Sequence, residues 1–375
     1  MMRIGTMAAI GLWLAASPAP AQPIDDPAAH ARSRTADAPS PSLALEAGAP
    51  ELLLQFHIAS ISVAVLKEGR IVYTQAWGQA SPSEPATPQT LYNVASLAKP
   101  VSAEVAMRLV SSGSIALDES MSAYWIDPDV AGDSRAARLT PRFVMSHRTG
   151  LPNWRADDGG VLRFDHEPGE IFGYSGEGFE WLARFVERKT GEPFETLAQN
   201  LIFTPSGMND TAYTRRPWFA GRLAMPYDAN LIALPQQIAD HYIASDDLIS
   251  TPSDYGRFII GLLHRQGLTS ALYLERQKVQ TARSGHACVV DAATPCATED
   301  GFGLGWESIL IDGRRFLMHT GMDDGTFTFA YMEPETGEGL VMFTNSSNGW
   351  QAVLPVLQMT DTDEAFVQHL RRAVS

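Results

Sequence analysis

Residues 316–345 read FLMHTGMDDGTFTFAYMEPETGEGLVMFTN. Short runs rich in Phe, Leu, Val, Met and Thr are separated by turn-forming residues, the pattern of consecutive antiparallel strands. Strands are predicted over 316–320, 326–332 and 340–345, with Glu333-Pro334-Glu335-Thr336-Gly337 as a turn. A matching pair lies near the other end of the chain. Ile61–Leu66 and Ile71–Trp77 flank Glu68-Gly69, and a short helix ending at Phe56 leads into them. The chain between is helices and loops. Ala103–Val110 (AEVAMRLV) is mostly apolar, as a buried helix is. Phe179–Lys189 (FEWLARFVERK) sets Phe179, Leu182, Phe185 and Val186 on one face, and Glu364–Ala373 closes the chain as a helix. Strands at both chain ends with helices between them predict an α/β (α+β) fold. One antiparallel sheet is built from both ends and flanked by helices, with a mainly helical domain inserted. The expected boundaries are 44–85 and 251–375 for the sheet domain and 86–250 for the helical one.

Ser96-Leu97-Ala98-Lys99 stands at the start of the helix that contains Ala103–Val110. Positions i and i+3 share a helix face, so the lysine amine can reach the serine hydroxyl. A serine hydroxyl is a poor nucleophile until a neighbour takes its proton. A lysine at its free pKa of about 10.4 cannot do so, but burial and nearby positive charge lower that value. The positive end of the helix dipole favours negative charge developing at Ser96. Pro100 removes one backbone hydrogen bond, which is tolerable only near a helix start. Taken alone, the pair also reads as an N-cap followed by a solvated lysine.

Two downstream motifs give the pair a context: Tyr174-Ser175 and His319-Thr320-Gly321. In order and surroundings the three motifs resemble the serine β-lactamase and penicillin-binding-protein superfamily, in particular its class C branch with the D,D-peptidases and related esterases. That family carries S-x-x-K on a helix, Y-x-N on a loop, and K-T-G or H-T-G on a strand. Other segments resemble it too: the 61–73 hairpin, GSIALD at 113–118, MSHRTGLP at 145–152, Pro168-Gly169 before the tyrosine, PSGM at 205–208 with Asp210-Thr211, and LIST at 248–251 with Asp254. The resemblance runs from about residue 44 to the C-terminus. It implies a β-lactamase/D,D-peptidase-like fold and two-step acyl transfer. Ser96 would be the nucleophile, with Lys99 and Tyr174 sharing its proton. Backbone N–H groups of Ser96 and Met322 would hold the oxyanion. His319, Thr320, Gly321, Met322, Ser175 and Gly176 would line the substrate, with the Thr320 hydroxyl on a substrate carboxylate. Free tyrosine ionises near 10, and charges on Lys99 and His319 are expected to lower that for Tyr174. His147 is read as structural.

The chain departs from the pattern at Gly176, where the family usually has an asparagine that hydrogen-bonds the substrate amide. A site that loses such a contact loses discrimination, which favours esters over β-lactams or peptides. If a positive φ requires the glycine, Asn is its best-tolerated replacement. His319 replaces the lysine of true class C β-lactamases, so its pull on a substrate carboxylate would be weaker and pH-dependent.

Composition narrows the function. The net charge of −15, spread along the chain, argues against nucleic acid and anionic membrane surfaces as partners. Arg3, the apolar run 7–16 and Ala19-Pro20-Ala21 read as a secretory signal over 1–21 with mature chain from Gln22, followed by a flexible linker over 22–43. The apolar run falls well short of the ~20 residues that span a bilayer, so no stable membrane anchor is expected. The two cysteines, Cys288 and Cys296, are expected to form a disulfide in an oxidising compartment. No metal site and no cofactor are expected, since metal-protease, Walker and dinucleotide motifs are absent, and the absence of a G-x-S-x-G elbow argues against an ordinary α/β-hydrolase. The expected protein is a monomeric, periplasmic or secreted serine hydrolase acting on a small ester, amide or peptide. A D,D-carboxypeptidase or β-lactamase is the alternative. A penicillin-binding sensor that acylates without turnover belongs to another class.

Overall fold

β1 (Ser60–Lys67) is buried along nearly all its length. Its side chains alternate between two cores: Ile61, Val63 and Val65 on one face, Ala64 and Leu66 on the other. The computed structural model describes residues 41–236, 238–282 and 296–373. The expected signal 1–21, the linker up to residue 40, and Cys288 lie outside the described residues; Cys296 is disulfide-bonded. The first helix starts at Pro41, inside the segment read as linker, and runs to Phe56.

The other strands are β2 (Arg70–Ser81), β3 (Glu84–Pro85), β4 (Tyr92–Asn93), β5 (Ile249–Ser250), β6 (Thr281–Ala282), β7 (Ala297–Phe302), β8 (Glu307–Ile311), β9 (Arg314–Asp323), β10 (Thr326–Glu333) and β11 (Glu338–Thr344). Among the described residues, nine strands form one sheet in the order β3-β2-β1-β11-β10-β9-β8-β7-β6. Its ladders are antiparallel. The two chain ends meet at the centre, where Ile61 pairs with Thr344 and Val65 with Leu340. β6, β7 and β8 were not anticipated from sequence. β6 is only two residues long, and β7 (ATEDGF) is polar and partly exposed, so neither carries a strong strand signal.

Both faces of the sheet are covered, so the central strands are continuously apolar rather than alternating. Pro41–Phe56, Val353–Met359 and Glu364–Ala373 cover one face through Leu45, Leu52, Val356, Leu357, Phe366 and Val367. The helix Ala98–Ser111 lies in the core on the other face, where Ala98 through Leu109 are all buried. A buried ion cluster fixes it. Glu104 accepts from Arg276 Nη1 at 3.0 Å and from Arg108 Nε at 3.3 Å, and Arg276 also donates to the Leu262 carbonyl at 3.2 Å. All three charged side chains are at most 5 % exposed. Removing one member of such a cluster strands the others without solvent, at a cost of about 3–5 kcal/mol. Glu104→Ala is therefore expected to lower the urea midpoint by that equivalent, and an unchanged midpoint would show that the cluster does not hold the helix.

Candidate active site

The helix of Lys99 begins in a strained turn. Ala95 has φ of +48°, a region costly for a residue with a Cβ. The turn is held from three sides. Asn93 Oδ1 accepts from the Ala95 N–H at 2.8 Å, the Thr328 hydroxyl donates to the Val94 carbonyl at 2.7 Å, and the Val94 N–H donates to the Leu248 carbonyl at 2.8 Å. A 3₁₀ turn over Ala95–Leu97 carries Ser96 directly into Ala98–Ser111. Ser96 thus lies on the tighter turn just before the α-helix, with Pro100 in the first helical turn.

Ser96 is half-buried, while Lys99 is 1 % exposed. Lys99 Nζ donates to Ser96 Oγ at 2.8 Å and to the Ser245 carbonyl at 3.0 Å. Burial lowers the Lys99 ammonium below the ordinary lysine value, against the opposing pull of the Asp246 and Glu180 carboxylates. Pairing of β4 with β5 brings the 244–247 segment alongside Asn93. Glu180 fixes that segment by accepting from the Ser245 N–H at 2.9 Å and the Ser245 hydroxyl at 2.7 Å.

Tyr174 completes the group. Its ring centroid is 4.8 Å from Lys99 Nζ, and Ser96 beside its hydroxyl pulls the phenol pKa downward against the larger effect of burial. His147 stacks on it with centroids 4.3 Å apart and 24° between planes, while His147 Nδ1 accepts from the Ser175 N–H at 3.2 Å. The expected lowering of the Tyr174 phenol does not occur. Burial raises it, and one of the two expected charges is missing. His319 is 2 % exposed, and burial together with Lys99 pushes its pKa down to about 3. Its Nδ1 lies 2.7 Å from the Thr320 carbonyl, which requires the proton on that nitrogen. His319 is therefore neutral near pH 7 rather than pH-dependent as the motif suggested. Close by, the carboxylates of Asp246, Asp247 and Asp323 lie within 4.8 Å of one another, with Asp246 and Asp247 raised chiefly by burial.

The third motif reaches the turn along β9. A Cβ on Gly321 would stand 2.3 Å from the Val94 carbonyl, 2.4 Å from Thr328 Oγ1 and 3.0 Å from the Ser96 nitrogen. Only a glycine lets the strand lie this close. Thr320 is half-buried and Met322 is 62 % exposed.

One sequence reading requires correction, and a condition set on a second position is not met. Ser175 does not face a substrate. It is buried, its hydroxyl donates to the Pro152 carbonyl at 2.8 Å, and it caps the helix Gly176–Thr190 by accepting from the Gly178 N–H at 3.0 Å. Gly176 does not have a positive φ. Instead the Trp154 ring lies 2.9–3.1 Å from where its Cβ would be, and that ring is 5.9 Å from Lys99 Nζ. Trp154, Glu180 and Asp246 went unread in the sequence, because none belongs to a local motif.

A comparison with known sequences now adds to the geometry: the Beta-lactamase family profile matches residues 44–355. The chain belongs to the Beta-lactamase family. Its curated relatives include the D-alanyl-D-alanine-carboxypeptidase/endopeptidase AmpH of Escherichia coli (strain K12), 26 % identical over 330 residues, 76 % of this chain and 81 % of that protein. Esterase EstB of Burkholderia gladioli is 28 % identical over 222 residues, 51 % of this chain and 56 % of its own length. Among solved structures, EstCE1, a hydrolase with promiscuous acyltransferase activity, superposes with a TM-score of 0.71 at 17 % identity, covering 85 % of this chain and 98 % of its own. The octameric penicillin-binding protein homologue from Pyrococcus abyssi superposes with a TM-score of 0.72 at 19 % identity, covering 85 % and 77 %. The structural matches support the β-lactamase/penicillin-binding-protein fold, and the family places this chain among the serine hydrolases.

The close approach at residue 321 yields a test. Gly321→Ala should destabilise the fold by about 1–3 kcal/mol through overpacking and slow acylation at least tenfold. Denaturant titration and fluorophosphonate labelling would read the two effects. A variant that matched wild type in both would show that the strand does not press on the turn.

Proposed function

We propose that this β-lactamase-family protein hydrolyses small neutral esters or amides through an acyl-enzyme on Ser96. The 2.8 Å contact between Lys99 Nζ and Ser96 Oγ, made by a lysine that is 1 % exposed, carries the reading. Desolvation makes the neutral amine accessible near physiological pH, so Lys99 takes the proton as Ser96 Oγ attacks the carbonyl carbon. The N–H groups of Ser96 and Met322 hold the oxyanion. Tyr174, whose raised pKa keeps it a phenol, gives its proton to the departing oxygen or nitrogen and regains one from Lys99. Water then attacks the ester on Ser96, with the same groups moving the proton in reverse. Thr320 and Gly321 line the acyl site beside this group.

Electrostatics favour a neutral substrate over one that needs its carboxylate gripped. His319 is uncharged, and Asp246, which acts on Lys99, is gathered with Asp247 and Asp323. An anionic carboxylate entering there finds a neutral His319 where the class C pattern has a lysine, and carboxyl groups gathered beside Lys99. The D,D-carboxypeptidase or β-lactamase reading draws its support from the carboxypeptidase/endopeptidase relative. Export also belongs to the proposal, carried by Arg3, the apolar 7–16 run and Ala19-Pro20-Ala21. No helix among the described residues is long and apolar enough to cross a membrane.

A fluorophosphonate should label Ser96, as mapped by mass spectrometry, and Ser96→Ala should lose both labelling and p-nitrophenyl ester hydrolysis. Lys99→Ala and Tyr174→Phe should each slow acylation by about 10²–10⁴-fold with the fold retained. Adduct on another residue, or an active Ser96→Ala, would overturn the assignment.

The pH profile is a separate check. Lys99 must be deprotonated to act as base, so kcat/KM should rise with pH through its lowered pKa of about 8 and then level off. His319, pushed down to about 3, should add no inflection between about pH 5 and 8. A rise centred near the ordinary lysine value of about 10.4 would remove Lys99 burial from the mechanism.

A further inference from the structure

The geometry points to Trp154 as a specificity-determining residue that replaces the missing asparagine with an aromatic wall, selecting substrates whose acyl group carries a flat apolar substituent. The inference rests on the Ser96 reading above and asks what that site prefers. A side chain at position 176 would start 2.9 Å from the end of the Trp154 indole, so the ring occupies the volume such a side chain would need. The same ring is 5.9 Å from Lys99 Nζ, and Lys99 is hydrogen-bonded to Ser96. An acyl group on Ser96 therefore has an indole at hand where the family pattern would offer an amide.

The wall is built rather than incidental. Arg155, the next residue, donates from its backbone N–H to Glu177 Oε1 at 2.9 Å, and from its guanidinium to Glu177 Oε2 at 2.8 Å, Asp127 Oδ2 at 2.6 Å and Asp129 Oδ2 at 3.1 Å. Glu177 itself follows Gly176 and is buried. Asn153, on the other side of Trp154, accepts the Gly176 N–H at its side-chain oxygen, 3.0 Å away. Residues flanking the tryptophan thus grip residues at and beside the glycine, which fixes the ring over position 176 through paired, charge-assisted bonds. The indole is only half-buried and keeps a surface for a ligand. Beyond Tyr174, Phe172 stands 40 % exposed and stacks on Phe302 with centroids 5.2 Å apart, so an apolar surface continues past the phenol. Aromatic surfaces of this kind favour stacked rings over polar chains.

The test compares kcat/KM for p-nitrophenyl phenylacetate and p-nitrophenyl acetate in wild type and in Trp154→Phe, Trp154→Leu and Trp154→Ala. The phenylacetate-to-acetate ratio should fall at least tenfold in Trp154→Ala and Trp154→Leu, mainly through KM, and stay within about threefold in Trp154→Phe. Leucine separates stacking from packing, because a ring needed only as filler would be replaced by leucine as well as by phenylalanine. With the ring removed, Trp154→Ala/Gly176→Asn should raise the cephalosporin-to-acetate ratio at least tenfold over Trp154→Ala. An unchanged phenylacetate ratio in all three single variants, or full retention in Trp154→Leu, would overturn the assignment, and so would a double variant no better than Trp154→Ala on cephalosporin. Fluorophosphonate labelling of the wild type distinguishes the two levels. Labelling at Ser96 with an unchanged ratio defeats Trp154 alone, whereas labelling elsewhere defeats the Ser96 reading itself.

Discussion

A lysine with 1 % of its surface exposed is costly, and the arrangement around Ser96 follows from containing that cost. The ammonium keeps two hydrogen-bond acceptors, Ser96 Oγ and the Ser245 carbonyl. Each acceptor is itself fixed. The Ser245 segment hangs on Glu180 through its N–H and hydroxyl, and it reaches the site by way of the short β4–β5 ladder. Ser96 is fixed by the left-handed Ala95 and by Asn93, whose side chain bonds both Ala95 and Asp247. One desolvated amine thus ties together elements from 93 to 250 in the chain.

The same burial sets the electrostatics. Desolvation raises the Tyr174 phenol and the Asp246 carboxyl, lowers Lys99, and leaves His319 neutral. All four shifts move toward the uncharged form, as a low-dielectric environment requires. Such a site holds mobile protons on neutral groups and concentrates little positive charge.

Much of this was legible in the sequence, and the pattern of failures is physical. The closing strands could be read because β10 and β11 combine β-branched and aromatic runs with a turn containing Pro and Gly, and the meeting of Ser96 with Lys99 because the two are three residues apart. β6 and β7 were missed because they are short or polar. Ser175 was misassigned because its motif position says nothing of which way the hydroxyl turns; here it caps a helix. Trp154 was invisible for a different reason. It touches Gly176 across 22 residues of chain, and a vacancy left by a glycine does not announce what fills it.

The antiparallel ladder between β1 and β11 joins residues near 61 to residues near 344. Contacts of such sequence separation are slow to form, because their loop-closure entropy is lost before the contacts stabilise anything. Strand β9, which backs the Ser96 turn through Gly321, hangs on this same late sheet. During synthesis the N-terminal two thirds therefore emerge with the serine and lysine present but without the strand that completes their surroundings. A nascent or C-terminally shortened chain therefore carries Ser96 and Lys99 without the strand that backs their turn.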